Sequence, residues 1–369
     1  MPSTIIPVRT ASAVYDVEIA PNLLSSIGER LTALLPSKPR MFVVTSPEIW
    51  ALYGEAFAAS LPNEPTVLYV PSGEEHKRLA TVERLAEELA QRGADRDSVL
   101  IAFSGGVLGD MTGFLAAAYM RGIRYIQVPT TALAQIDSSL GGKTGVNLAA
   151  GKNLFGAFHH PLAVYADTAV LSTLPPAQLR AGLQESVKAG IIRDRALFVY
   201  LDKHHEAVLN GDQAALTHVI AASVQVKAKV VAADEKESGE RMLLNLGHTL
   251  GHAIEAATNY NQLLHGEAIA WGMLAAIEIA HKRSLVTSAE AETMGRVIRI
   301  YGPLKPFTAD AATLVALTAK DKKNRSGARS YVLPVGIGNA TVVRDVSEAE
   351  LTEAAEGLLS LMYETEVRA

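Results

Sequence analysis

Ser98-Val99-Leu100-Ile101-Ala102-Phe103 runs straight into Ser104-Gly105-Gly106-Val107-Leu108-Gly109-Asp110, and a helical pattern follows. A short, nearly continuous apolar run is what a strand buried on both faces needs, and parallel sheets are built from such strands. Glycines where a strand hands over to a helix leave the first helical N–H groups exposed, with the positive end of the helix dipole behind them. That geometry suits a pyrophosphate. The full G-x-G-x-x-G spacing is missing, so the turn by itself is equally well explained as ordinary strand-to-helix chemistry.

Outward from this stretch, Met41 to Thr45, Thr66 to Val70, Tyr125 to Val128 and Ala163 to Ala166 also read as buried strands. Leu23 to Leu35 and Leu79 to Arg92 carry apolar residues at helical spacing between them. The alternation predicts an α/β unit around a mostly parallel sheet. After about Thr173 the pattern changes. Leu179 to Ile192, Ala214 to Ala233, Arg241 to Ala257, Glu267 to Lys282 and Ala289 to Tyr301 are all helical in period, which predicts an all-α second half. One small strand pair, Ser330 to Leu333 with Ala340 to Val343, is expected around the turn Gly336 to Asn339.

At 369 residues the chain exceeds the size at which one core stops growing, and the predicted domains are 1–173 and 174–369. A hydrophobic fraction of 49% with 20% charged residues is that of a globular protein. The net charge of −5 provides no field that would gather nucleic acid or an anionic membrane. With no cysteine, disulfides, thiolate ligands and a thiol nucleophile are excluded, so any metal must be held by histidine and carboxylate. The N-terminal residues lack a charged segment ahead of an apolar run. No apolar stretch approaches the roughly 20 residues of a membrane span. A cytoplasmic protein with neither nucleic-acid nor membrane partners is expected.

The chemistry concentrates in Asn245-Leu246-Gly247-His248-Thr249-Leu250-Gly251-His252-Ala253-Ile254-Glu255 and the following His265-Gly266-Glu267. His248 and His252, four apart, share one helix face. Any one of the three histidines reads as a hydrogen-bonded core or helix-start residue. Three together, with Glu185 in Gln184-Glu185-Ser186-Val187-Lys188 on an otherwise apolar helix, point to a divalent metal. Three protein ligands leave a position open, as at a catalytic zinc. Gly247 and Gly251 remove bulk, so that another backbone or a ligand can approach.

A second glycine cluster, Asp137-Ser138-Ser139-Leu140-Gly141-Gly142-Lys143-Thr144-Gly145, fails as a phosphate-binding P-loop because Asp137 stands where the first glycine is required. It reads instead as a flexible loop presenting Lys143 and, after Gly151, Lys152 and Asn153, to a phosphate or carboxylate. His159-His160 and His204-His205 read as structural or surface residues. Asp321 to Arg325 reads as a solvated charged loop, and Lys227 and Lys229 as snorkelling lysines.

Taken in order, these motifs resemble the 3-dehydroquinate synthases of the sugar-phosphate cyclase group. The match runs through Gly73-Glu74-Glu75-His76-Lys77, the 105–110 turn, Tyr119-Met120-Arg121-Gly122, Gln127 to Ser139, Gly141 to Asn147, Gly151-Lys152-Asn153, Asn245 to Glu255, Leu264 to Glu267 and Asp321-Lys322-Lys323. The resemblance implies a Rossmann-like, NAD-binding first domain, a helical domain supplying most of the metal site, and catalysis in the cleft between them. It implies that Glu185, His248 and His265 ligate zinc, with cobalt as an alternative, and that His252 neighbours the substrate phosphate.

NAD is implied to meet Ser72, Gly73, Glu74, Glu75, His76 and Lys77, the turn residues Gly106, Val107, Leu108, Gly109 and Asp110, and Thr130, Thr131, Lys143 and Lys152. The segment Val170, Leu171, Ser172 and Thr173 completes that set. Lys143, Asn153, Arg241 and one of Lys322 or Lys323 are implied to hold the phosphate, with Arg121 arriving from the second subunit of a homodimer. Asp137, Lys188, Lys227 and Asn245 are implied to meet hydroxyl and carboxylate groups.

The family's activity is that of a shikimate-pathway lyase of aromatic amino-acid biosynthesis. It oxidises its sugar phosphate transiently with NAD, eliminates phosphate, returns the hydride and closes the ring by an aldol step. Departures from the family pattern are Ser104, Ser46-Pro47, Gln184, Ser186 and Ala189. The alternatives are a sister cyclase acting on another sugar phosphate, a metal-dependent polyol dehydrogenase of similar fold and a catalytically dead NAD-binding module. The phosphate residues argue against the last two.

Overall fold

The computed structural model describes residues 3–35, 37–319 and 330–368, the side chains of 364–368 excepted. Lys322 and Lys323 lie outside the described residues. The chain forms two compact units, Met1–Pro175 with Gln213–Glu235, and Pro176–Asp212 with Lys236–Ala369.

The first unit holds nine strands: β1 Thr4–Arg9, β2 Val14–Ala20, β3 Met41–Thr45, β4 Thr66–Tyr69, β5 Val99–Ser104, β6 Arg124–Pro129, β7 Lys143–Leu148, β8 Gly151–Phe158 and β9 Ala163–Asp167. Seven form one sheet in the order β1-β2-β9-β6-β5-β3-β4, in which only the β1–β2 pair is antiparallel. Every residue of β3 and β5 is buried, as their unbroken apolar sequences require. On one face Phe42, Leu68, Leu100 and Tyr125 pack with Leu85, Leu89, Met111 and Leu115 from helices Leu79–Gln91 and Gly106–Ala118. On the other, Phe57 of helix Pro47–Ser60 stacks on Phe103 at a centroid distance of 4.3 Å.

Sequence pattern missed β1 and β2. They form the antiparallel end of the sheet, where Ile6 and Val8 are buried and the intervening residues Ile5 and Pro7 are exposed. Their partner explains a second difference. Helix Gln213–Ala233 falls by sequence position in the helical half, yet it packs on β1 and β2 and belongs to the first unit. It is also long and apolar enough to cross a membrane, with a mean hydropathy of 1.2, although no such stretch was expected; here 61% of that window is buried against protein. The expected loop around Lys143 is in fact the hairpin β7–β8, with Lys143 opposite Phe158.

The second unit is helical apart from the expected strand pair, Tyr331–Pro334 with Ala340–Val343. Its centre is helix His265–Lys282, in which fourteen of eighteen residues are buried. The helix expected over Arg241 to Ala257 is broken. A 3-10 turn, Glu240–Asn245, ends before Gly247, whose φ of 79° starts helix His248–Ala257. Glycine is the residue that adopts this conformation without strain.

Candidate active site

In the first unit, the residues expected around a nucleotide converge on one edge of the sheet. Ser72 to His76 follow β4, Gly106 to Asp110 open the helix after β5, Thr130 and Thr131 follow β6, and Val170 to Thr173 follow β9. These are the carboxyl ends of four parallel strands, where open α/β sheets bind ligands. Gly105 caps helix Gly106–Ala118 with no side-chain hydrogen bond of its own. A Cβ at Gly106 would lie 2.5 Å from Ser138 Oγ and would push that hydroxyl aside. The buried hydroxyls of Thr130 and Ser138 have no hydrogen-bond partner among the described residues. Glycine backbone beside such hydroxyls fits a polar, phosphate-bearing cofactor.

Lys77 organises the neighbouring residues. Its Nζ donates to Asp110 Oδ2 at 2.7 Å and to Asn153 Oδ1 at 2.6 Å. Burial pushes the Asp110 carboxyl up, and the Lys77 ammonium opposes that shift. Asn147, which sequence reasoning passed over, joins the same network: its side chain donates to Glu74 Oε1 at 2.7 Å and accepts from the Asn153 amide at 2.9 Å. Asn153 itself has a φ of 52°. Tyr53, equally unforeseen, donates to the Val170 carbonyl at 3.0 Å. Nothing in its local sequence marks it, because its partner lies over one hundred residues away.

Asp137 lies in a π-helical turn, Ala134–Ser138. Such turns re-aim side chains and cluster at functional positions. Lys227, read as a surface lysine on local grounds, is buried, and its Nζ lies 2.8 Å from Asp137 Oδ1. The departures from the family pattern have local explanations. Ser46 caps helix Pro47–Ser60 by accepting from the Ile49 amide at 3.3 Å, and Ser104 donates to the Gly105 carbonyl at 3.2 Å. Arg121 is exposed, with a φ of 69°.

In the second unit, glycines set the metal cluster. A Cβ at Gly272 would lie 1.8 Å from the Gly247 carbonyl oxygen, and one at Gly251 2.7 Å from Ile269 Cδ1. Helices His248–Ala257 and His265–Lys282 therefore pack backbone to backbone, which is the close approach that Gly247 and Gly251 allow. A Cβ at Gly266 would lie 1.9 Å from the Ala181 carbonyl oxygen, drawing helix Pro176–Arg193 onto the start of His265–Lys282. Glu185 lies one turn after Ala181.

The ligand atoms of Glu185, His248 and His265 consequently fall within 4.8 Å of one another. Glu185 is 2% exposed, and neither carboxylate oxygen accepts a hydrogen bond among the described residues. Its charge is met by an ion pair with Lys188. His248 has its Nδ1 3.1 Å from the Leu246 carbonyl, which fixes the ring's orientation. For His265, burial disfavours the cation, but Glu255 and then Glu185 outweigh it, so its pKa is raised. A buried carboxylate without hydrogen bonds beside two imidazoles fits a divalent cation such as zinc.

His252 stands beside both histidines, with ring centroids 5.2 Å from His248 and 6.1 Å from His265. Arg241 is 2% exposed, and Asn245 donates to Glu237 Oε1 at 2.8 Å. Gln184 is tied to the Ile298 carbonyl at 2.9 Å, so that departure braces the helix carrying Glu185.

Among the solved structures of the same architecture are sugar-phosphate cyclases. A 2-epi-5-epi-valiolone synthase from Streptomyces hygroscopicus subsp. jinggangensis 5008, with NAD+ and Zn2+ bound, has a TM-score of 0.88 and 31% identity, covering 95% of this chain and 98% of that one. A 2-deoxy-scyllo-inosose synthase complexed with carbaglucose-6-phosphate, NAD+ and Co2+ has a TM-score of 0.85 and 29% identity, covering 96% and 100%.

Sequence profiles place the chain more narrowly. The 3-dehydroquinate synthase N-terminal profile matches residues 67–181, and the C-terminal profile matches 182–324. The 3-dehydroquinate synthase of Solibacter usitatus (strain Ellin6076) is 47% identical over 364 residues, 98% of this chain and 100% of that protein. The chain belongs to the 3-dehydroquinate synthase family.

Proposed function

We propose that the protein converts 3-deoxy-D-arabino-heptulosonate 7-phosphate into 3-dehydroquinate and phosphate, as a carbon–oxygen lyase of the shikimate pathway. The observation that carries this reading is the meeting of Glu185, His248 and His265 in a chain that also retains Lys143, Asn153, Lys188, Lys227, Arg241 and Asn245. Glu185, His248 and His265 hold zinc or cobalt, and the residues at the carboxyl edge of the sheet hold NAD. When bound, the ion polarises a substrate hydroxyl oxygen and the nicotinamide takes up and returns a hydride.

Everything else falls to the chain. Arg241 and Lys143 hold the phosphate and stabilise its charge as it leaves. Asn153 adds a neutral donor to the same group. Asp137, Lys188, Lys227 and Asn245 meet the substrate's hydroxyl and carboxylate groups. His252 lies beside the metal ligands as a donor to the phosphate. Holding one substrate through several steps calls for many fixed polar contacts rather than one strong base.

Purified protein given this sugar phosphate, NAD and zinc is expected to release phosphate without accumulating NADH. A steady build-up of NADH would identify a dehydrogenase instead. The working form is a cytoplasmic homodimer. Supporting this, Leu148, Leu154, Phe155 and Phe158 on the β7–β8 hairpin and Met120 beside Arg121 are all exposed apolar residues. Sedimentation at micromolar concentration is expected to show twice the 39.3 kDa chain mass, and a single-chain mass would refute the dimer.

A further inference from the structure

We infer that Glu255 is a positioning residue: its carboxylate holds the His265 imidazole in its ligating orientation without touching the ion. The inference rests on the metal reading above and extends it to a residue given no role in it.

Glu255 is 3% exposed, on the same helix as His248 and His252 and on the same face, seven and three residues on. A glutamate so deeply buried needs a partner. Its Oε2 lies 3.4 Å from His265 Nδ1, while His265 Nε2 lies on the Glu185 side, 3.9 Å from Oε1. Each ring nitrogen of His265 thus faces a different carboxylate. An imidazole ligates through one nitrogen and donates from the other, and the acceptor of that second bond fixes both tautomer and ring angle.

His248 meets this need with the nearby Leu246 carbonyl. His265 is the first residue of its helix, with a side chain 31% exposed, so it needs a partner to lock its rotamer. Glu255 supplies that lock from the neighbouring helix, and a carboxylate acceptor also makes the imidazole a stronger ligand.

The same atoms admit a second ligand set, His252, Glu255 and His265, also within 4.8 Å of one another. Hydrogen bonding separates the two. Glu185 Oε1 accepts no hydrogen bond among the described residues while Oε2 faces the Lys188 ammonium, whereas Glu255 already accepts from His265.

The test measures zinc affinity of the full chain by competition with a chromogenic chelator, with cobalt substitution as a spectroscopic readout, in wild type, Glu185→Gln, Glu255→Gln and Glu255→Ala. Loss of a ligand in Glu185→Gln should abolish tight binding. Glu255→Ala should weaken binding about 10–100-fold and disturb the cobalt spectrum, because the ring is no longer held. Glu255→Gln keeps an acceptor oxygen in an isosteric side chain, so its affinity should fall between those of wild type and Glu255→Ala, and it should retain the cobalt spectrum.

Unchanged zinc affinity in both Glu255 variants, with Glu185→Gln defective, overturns the inference and leaves the metal reading intact. Retention of zinc by Glu185→Gln with loss in Glu255→Gln makes Glu255 a ligand, which also overturns it. Tight binding by every variant removes the metal reading itself. Should Glu255→Ala fail to fold, the isosteric variant still decides.

Discussion

Lys227 closes on Asp137, its Nζ donating to the backbone carbonyl oxygen at 2.7 Å while lying 2.8 Å from the carboxylate. One ammonium group thereby fastens helix Gln213–Ala233 to the π-helical turn and sets the direction of a carboxylate that is 30% exposed. Replacing Lys227 with Met removes both contacts while keeping the aliphatic stem. Turnover is expected to fall at least a hundredfold, on the order of 3 kcal/mol of transition-state stabilisation. The melting temperature should shift by only a few degrees, because Asp137 can still reach water. Steady-state kinetics beside thermal denaturation checks this, and wild-type kcat/KM in the variant would remove Lys227 from the site.

Lys77 is the opposite case, since both it and its Asp110 partner are largely withdrawn from solvent, their side chains 5% and 19% exposed. Lys77→Met should destabilise the first unit by about 3–5 kcal/mol, the cost of stranding a buried charge. Adding Asp110→Asn should restore much of that loss. Chemical denaturation of the single and double variants measures the coupling, and additive effects would show the pair to be independent.

Gly272→Ala places a methyl group 1.8 Å from the Gly247 carbonyl oxygen, where backbone rather than a pliable side chain must yield. The expected cost is about 1–3 kcal/mol or more. Because this spacing sets the separation of His248 and His265, zinc affinity should fall with stability. Gly211→Ala is the control: its φ of 78° adds backbone strain, but no atom lies within 4 Å. It should lose stability while retaining zinc affinity.

Acid stability should depend on Glu235. Ser12 hydroxyl donation, opposed by burial and supported by His160, holds its carboxyl down to about 2 from the ordinary 4.5. A depressed carboxylate stabilises the fold above its unfolded pKa, and that contribution disappears as pH falls through the folded value. The stability difference between wild type and Glu235→Gln should therefore be largest above about pH 5 and close as pH approaches about 2. Urea denaturation across that range reads it. A difference independent of pH would mean that the Glu235 charge plays no part.

The cluster around His160 shows where local sequence stops being informative. His160 reads as a loop residue, yet its side chain is 6% exposed, 3.1 Å from Glu235 Oε1 and tilted against the Tyr15 ring. Those partners sit 75 and 145 residues away, and no periodicity encodes such pairings.

By itself the sequence determined the parallel sheet, because strands buried on both faces must be apolar throughout, as Val99 to Phe103 are. It also determined the glycine turn and the His248 and His265 candidates, because residue type and spacing are local quantities. Tertiary structure alone decided that Gln213–Ala233 joins the sheet, that Lys143 stands on a hairpin, and that Asn147, Tyr53 and Glu255 stand beside the expected residues. Each of those outcomes depends on which surfaces meet when the apolar faces are buried, and burial is a property of the whole chain rather than of any window within it.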